Sequence, residues 1–273
     1  MLKKFFSILF ILMSVFTLKL TEAAVEENRA YFPPVLMYHD IKLMPVNSFD
    51  VTIKDFRQQL QWLKSAGYKT LSMEEFIACI QENREFPQKS ILITFDDGYE
   101  GAYLYAVPEL KSRDMKATFF INPWYIGKIA KNYPYMKEEQ IKDIADNPLF
   151  SIESHTTKHF HLDKLDSEKQ LNEFVESKEY IENLIGHQVQ AVSYPFGDYN
   201  AEVIDNAKKA GYEVAFAIQD RGLFGGAARF SIPRIYMCLE LCGNDQQLFK
   251  KYIKDYKKMP TEAFIERWRP LNN

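Results

Sequence analysis

Two kinds of apolar pattern alternate along the chain. Short unbroken runs read as strands buried on both faces: Val35-Leu36-Met37-Tyr38, Ser90-Ile91-Leu92-Ile93-Thr94-Phe95, Ala117 to Ile121, Phe150 to Glu153, Ala191-Val192-Ser193, Glu213 to Ile218 and Phe230 to Tyr236. Between them apolar residues recur at helical spacing. Phe56, Leu60 and Leu63 mark a helix between Thr52 and Ala66 that Gly67 stops, and Ser72 with Glu75 forms a capping-box pattern opening a second helix through Phe76, Ile77 and Ile80. Further helices are predicted around Leu104 to Arg113, Glu138 to Ala145, Ser167 to Leu184, Ala201 to Ala210 and Gln246 to Tyr256. About seven strand-then-helix steps, with no internal linker or repeat, predict a parallel sheet covered by helices. No Gly-rich phosphate turn follows the first strand, so the expected class is α/β with one irregular barrel, not a dinucleotide-binding sheet.

The N-terminus follows a different rule. Lys3-Lys4, an apolar run from Phe5 to Leu18 and the small pair Ala23-Ala24 stand in the order of a secretory signal peptide. Residues 1–24 are therefore expected to be removed after Ala23 or Ala24, leaving one domain over 25–273 in a secreted, periplasmic or cell-surface protein. The run is shorter than the ~20 apolar residues that cross a bilayer, so membrane attachment is expected only if the segment is retained as an anchor. Removing 24 of the 273 residues leaves 249, the size of one β/α barrel. With 34 Lys+Arg against 37 Asp+Glu the net charge is −3, which argues against a general grip on nucleic acid. Three cysteines cannot build a disulfide scaffold. In an oxidising compartment Cys238 and Cys242 either pair or remain buried thiols.

In a parallel barrel the chemistry sits where strands end. Four strand ends here carry unusual polar residues: His39-Asp40, Asp96-Asp97, His155 with His159, and Tyr194-Pro195-Phe196-Gly197. In a helical turn His155 and His159 would share one face and could reach one metal ion. Asp96 and Asp97 would repel one another beside an apolar strand unless a cation lay between or beside them, although Asp-Gly is also a common turn. A metal held by one aspartate and both histidines resolves that repulsion and leaves the other aspartate as a base. Trp124 and Tyr125 are loop aromatics that could stack on sugar rings or pack in the core. His161 and His187 lie in polar stretches and read as surface residues.

Thr94-Phe95-Asp96-Asp97-Gly98-Tyr99 together with His155-x-x-x-His159 resembles the first two motifs of the polysaccharide deacetylase family, the NodB-homology or family-four carbohydrate esterases. The resemblance covers roughly Val35 to Tyr236 and implies a distorted (β/α)7 barrel in a single domain. It implies that Asp97, His155 and His159 hold a divalent metal, zinc first with nickel, cobalt or iron(II) as alternatives, and that Asp96 is the catalytic base. The third motif departs from Arg-x-Pro-Tyr: this chain has Ser193-Tyr194-Pro195-Phe196-Gly197, so the arginine that orients the base is missing there. Arg234 at another strand end is a candidate replacement, with a surface ion pair as its other reading. Phe196 matches the residue whose backbone N–H helps stabilise the oxyanion, with Tyr194 and Pro195 expected to shape the turn or contact substrate.

The family's C-terminal Leu-x-His acid is absent, since no histidine follows His187. Pro34-Val35-Leu36-Met37-Tyr38-His39 resembles the N-terminal segment of the circularly permuted branch that deacetylates poly-β-1,6-N-acetylglucosamine. His39 would then be the acid, its pKa raised by a nearby carboxylate such as Asp96. The implied activity is metal-dependent removal of N-acetyl groups from a glycan polymer, in which water activated by the metal attacks the acetyl carbonyl. Peptidoglycan or a chitin-like oligomer is the alternative substrate, and a catalytically idle glycan-binding relative the non-enzyme alternative. A glycoside hydrolase would leave both histidines unexplained.

Overall fold

The computed structural model describes residues 32–218, 229–238 and 245–256. The expected signal segment and the Cys238–Cys242 pairing lie outside the described residues. Seven strands run parallel: β1 (Val35–Tyr38), β2 (Ser90–Phe95), β3 (Ala117–Ile121), β4 (Phe150–Ser154), β5 (Ala191–Ser193), β6 (Val214–Phe216) and β7 (Ile235–Tyr236). They lie in the order β6-β5-β4-β3-β2-β1-β7, with the short strand Lys69–Thr70 beside β2. A parallel bridge between Phe216 and Ile232 joins the segment leading into β7 back to β6, while Ile235 pairs with Leu36 of β1. The curled sheet thus meets itself through one segment, giving the irregular barrel that the alternating pattern predicts, in the distorted (β/α)7 form that the family resemblance implies. Pro233 supplies no N–H, so the predicted strand Phe230 to Tyr236 splits into that bridge and the two-residue β7.

β2 lies at the centre because all six of its residues can be buried. Phe95 stacks between Tyr38 at 5.3 Å and Phe119 at 5.0 Å, and truncating it would cost about 3–5 kcal/mol. Two polar side chains carried into this core are satisfied there: Thr94 Oγ1 donates to Leu36 O at 2.7 Å, and Tyr38 OH donates to Gln59 Oε1 at 2.7 Å. That second bond ties β1 to helix α1 (Ile53–Ser65), which buries Phe56, Leu60 and Leu63. Helix α2 (Met73–Gln81) opens with the capping box of Ser72 and Glu75.

The predicted helix at Leu104 starts earlier and differently. A π-helical turn, Ala102–Ala106, leads into α3 (Val107–Lys111), and Val107 N–H reaches back five residues to Ala102 O. Pro108 has no N–H for the ordinary bond to Leu104, so the register slips at this junction. Helices α4 (Glu138–Ala145), α5 (Ser167–Ile185), α6 (Ala201–Lys209) and α7 (Gln246–Tyr256) complete the outer layer. None among the described residues is long and apolar enough to cross a membrane.

Candidate active site

The ends of β2, β4 and β5 and the approach to β7 bring the polar strand-end residues together. After Phe95 the chain turns sharply, with φ of 70° at Asp97 and 76° at Gly98. Aspartate tolerates the left-handed region better than most residues, and at Gly98 a Cβ would press on Ile121 Cδ1 at 3.1 Å. This turn sends two adjacent carboxylates to different partners. Asp96 faces inward to Arg234 and Ser193, whereas Asp97 faces the histidines.

His155 follows β4, its N–H donating to Ile121 O at 2.9 Å. The stretch to His159 is not the helical turn expected from the spacing. Thr156 and His159 have φ of 63° and 60°, and the loop is held from below by Asn122, whose amide donates to the carbonyls of His155 and Thr156. The two imidazole rings nevertheless converge, with centroids 4.9 Å apart. His155 Nδ1 lies 2.7 Å from the carbonyl of Ser193, which can only accept, so Nδ1 carries a proton and Nε2 is the nitrogen that faces the site, free to ligate once it is deprotonated. Asp97 Oδ1 is 3.3 Å from His155 Nε2 and 3.2 Å from His159 Nε2, yet it is buried and in hydrogen-bond geometry with neither. The ligand atoms of Asp97, His155 and His159 all lie within 4.8 Å of one another. Two imidazole nitrogens and one carboxylate oxygen aimed at a common point fit a divalent ion of the zinc type with an open position. Burial would raise the Asp97 carboxyl, and the neighbouring His155 and His159 instead hold it well below the usual range.

Asp96 is 2% exposed, and its charge is met by Arg234. Nη1 donates to Oδ1 at 2.7 Å and Nη2 to Oδ2 at 2.6 Å. Arg234 also donates to Thr94 Oγ1 at 3.2 Å, Ser193 Oγ at 2.7 Å and Ala217 O at 3.2 Å. Its side chain is fully buried, so the surface ion pair is excluded. Ser193, which stands where the motif arginine is missing, donates its hydroxyl to Asp96 Oδ2 at 3.1 Å. Burial pushes the Asp96 carboxyl up, but the Arg234 guanidinium and His155 override it and keep the group ionised below the usual range. Sequence reasoning gave no role to Ser193, Thr94 or Asn122, because a single polar residue in a strand or loop carries no periodicity.

The turn after β5 is a single 3-10 turn, Pro195–Gly197, in which Phe196 has φ 60° and ψ 3°. A left-handed phenylalanine costs about 1–3 kcal/mol and persists only where its surroundings fix it. Gly197 behind it has no room for a side chain, since a Cβ would fall 2.9 Å from Ile218. Tyr194 was expected in the substrate or oxyanion set, but its ring is 1% exposed and packs on Phe174 and Tyr199. It contributes its carbonyl, which accepts from Gly197 N–H at 2.9 Å, and Pro195 is likewise buried.

His39 stands at the end of β1, its ring against Tyr236 at 5.3 Å and Phe49 at 5.7 Å. Among the described residues its Nδ1 is buried without a hydrogen-bond partner. The expected upward pKa shift is reversed. Burial lowers it by more than Asp97 and Asp96 raise it, with Arg234 and His155 pushing the same way as burial. Trp124 is 52% exposed with Lys128 Nζ 3.7 Å above its ring, while Tyr125 stacks on Tyr135 at 4.8 Å. His161 is exposed, as expected of a surface residue, and its ring stacks on Phe196.

A sequence profile described as polysaccharide deacetylase matches residues 83–215. YxkH of Bacillus subtilis (strain 168), whose name assigns it to the polysaccharide deacetylases, is 33% identical over 237 residues, covering 87% of this chain and 81% of its own. The poly-β-1,6-N-acetyl-D-glucosamine N-deacetylase of Staphylococcus epidermidis is 30% identical over 220 residues, covering 77% of this chain and 73% of its own. Among solved structures, the Streptococcus pyogenes deacetylase PplD in complex with acetate is similar with a TM-score of 0.65 and 26% identity, over 87% of this chain and 98% of that one.

Proposed function

The chain belongs to the polysaccharide deacetylase family and is a carbohydrate N-deacetylase; from that premise we propose that it is exported, uses zinc and acts on poly-β-1,6-N-acetylglucosamine. The observation that carries the mechanism is the division of labour between adjacent carboxylates. Asp97 Oδ1 lies beside two imidazoles, and Asp96 is held by an arginine. Asp97, His155 and His159 would hold a divalent ion, which when bound would supply Lewis acidity toward water and the acetyl carbonyl. Asp96, ionised and fixed by two parallel hydrogen bonds, accepts the proton of the attacking water. The Phe196 N–H stabilises the negative oxygen of the tetrahedral intermediate, and Pro195 holds the turn. His39 delivers a proton to the departing sugar nitrogen, so the products are acetate and a free glucosamine unit of the polymer.

The similarity to a named poly-β-1,6-N-acetyl-D-glucosamine N-deacetylase and the histidine at the end of β1 favour that glycan over peptidoglycan or a chitin-like oligomer. Export rests on the N-terminal pattern, with cleavage after Ala23 or Ala24. The test is acetate release by the zinc-loaded mature protein from a panel of the three polymers. Faster release from poly-β-1,6-N-acetylglucosamine is the expected result; equal or faster release from another polymer would overturn the substrate assignment.

A further inference from the structure

Phe196 is half exposed, yet its ring is held from two sides. The His159 ring meets it edge-on at 4.5 Å, and the His161 ring lies parallel to it at 3.8 Å with an interplanar angle of 11°. His161 is itself fixed, since its Nδ1 lies 2.7 Å from Asp198 Oδ2. The two residues come from different loops, His161 from the one that carries His155 and His159, and Asp198 from the end of the Phe196 turn. Behind the turn Gly197 rests against Ile218, so the turn cannot retreat toward β6.

We propose that His161, oriented by Asp198, is a positioning residue that clamps Phe196 against His159 and so couples the oxyanion turn to the metal-binding loop. The inference rests on the deacetylase reading for its catalytic consequence but not for its structural one. Phe196 is in a left-handed conformation that glycine would adopt more readily. A large ring there makes sense only if the ring is used, and its neighbours are a candidate ligand and a histidine tied to the next loop. Releasing the clamp should let Phe196 leave the turn geometry and let the His159 ring rotate. The first effect displaces an N–H from the oxyanion; the second makes metal binding order a looser ligand.

The test compares full-length His161→Ala, His161→Phe, Phe196→Ala and the double variant His161→Ala/Phe196→Ala. His161→Ala should lower kcat about ten-fold with KM within about two-fold, and weaken zinc about ten-fold in competition with a chelator. His161→Phe keeps a ring for stacking and should recover both values to within about three-fold. The double variant should be no worse than Phe196→Ala, because both changes break one contact. Losses that multiply in the double variant, or no recovery with His161→Phe, would overturn the clamp. If the parent protein releases no acetate from any glycan the deacetylase reading fails, and the zinc competition, which needs no substrate, still decides the clamp.

Discussion

Arg234 and Asp96, 138 residues apart in the chain, face each other as a bidentate ion pair buried at the barrel's end. The guanidinium fork matches the carboxylate, so it fixes the plane of the carboxylate as well as its charge. Arg234→Lys should therefore lower turnover about ten-fold or more despite keeping the charge. Arg234→Met should do so with a loss of stability of about 3–5 kcal/mol, since it leaves a buried carboxylate unpaired. Because the arginine holds Asp96 below the usual carboxylate range, its loss should move the acid limb of kcat/KM to higher pH. An unshifted limb in Arg234→Met would assign the limb to another group.

That pairing also marks what can be read along the chain and what cannot. The places of the seven strands along the chain follow from runs of buried apolar residues, and Asp96-Asp97 stands out because two charges end such a run. The sequence places Arg234 only at a strand end. Which carboxylate it meets depends on Phe216 bridging Ile232, a closure that no local pattern encodes. The short strands Asp40–Lys42 and Asp50–Thr52 were equally hidden, since three residues carry too little periodicity to register. His161 reads as a surface residue and is exposed, but its contacts with Phe196 and Asp198 are brought to it only by the fold.

The proposed metal centre predicts graded losses of affinity. His155→Ala, His159→Ala and Asp97→Asn each remove one of three protein ligands and should weaken zinc by at least about ten-fold in a chelator titration. His155→Ala should be the most damaging to stability as well, because its Nδ1 bond to Ser193 O links β4 to β5. Undiminished affinity in either histidine variant would dismiss the triad.

Asp96→Asn separates the base from the ligand. Asp96 Oδ2 is 3.9 Å from His155 Nε2, farther than Asp97 Oδ1, so zinc should stay bound while turnover falls about 10²–10⁴-fold. Metal analysis alongside acetate release reads both quantities. Near-normal turnover in the metal-loaded variant would move the base role elsewhere.

Glu153, next to the end of β4, gives a prediction about stability rather than chemistry. Its Oε2 accepts from Gln190 N–H at 2.8 Å and Ala191 N–H at 2.7 Å, and burial pushes its carboxyl up to about 8 from the ordinary 4.5. A group raised on folding stabilises below its unfolded pKa, and that contribution is lost as pH rises toward the folded value. The melting temperature should therefore fall between about pH 5 and pH 8. Glu153→Gln keeps an acceptor for both N–H groups and should flatten part of that slope. Asp40, lifted to about 7 chiefly by burial, leaves a remainder of the same sign. An unchanged slope in the variant would clear Glu153 of the effect.

His39 is the residue on which the direction of proton transfer depends. Its buried Nδ1 has no hydrogen-bond partner among the described residues, and burial lowers its pKa despite Asp97 and Asp96, so the imidazolium gives up its proton readily once formed. That suits an acid that must act late, when the sugar nitrogen becomes basic, and it confines the protonated form to the acidic side of the ordinary histidine range. Amide turnover by the parent protein should accordingly decline on the alkaline side, whereas an aryl acetate ester, whose phenolate leaves without a proton, should lack that decline. His39→Ala should cost the amide about 10²-fold or more and the ester far less, with zinc content unchanged. Equal losses on the two substrates would make His39 a packing residue against Tyr236 and Phe49, and no loss on either would take it out of the mechanism.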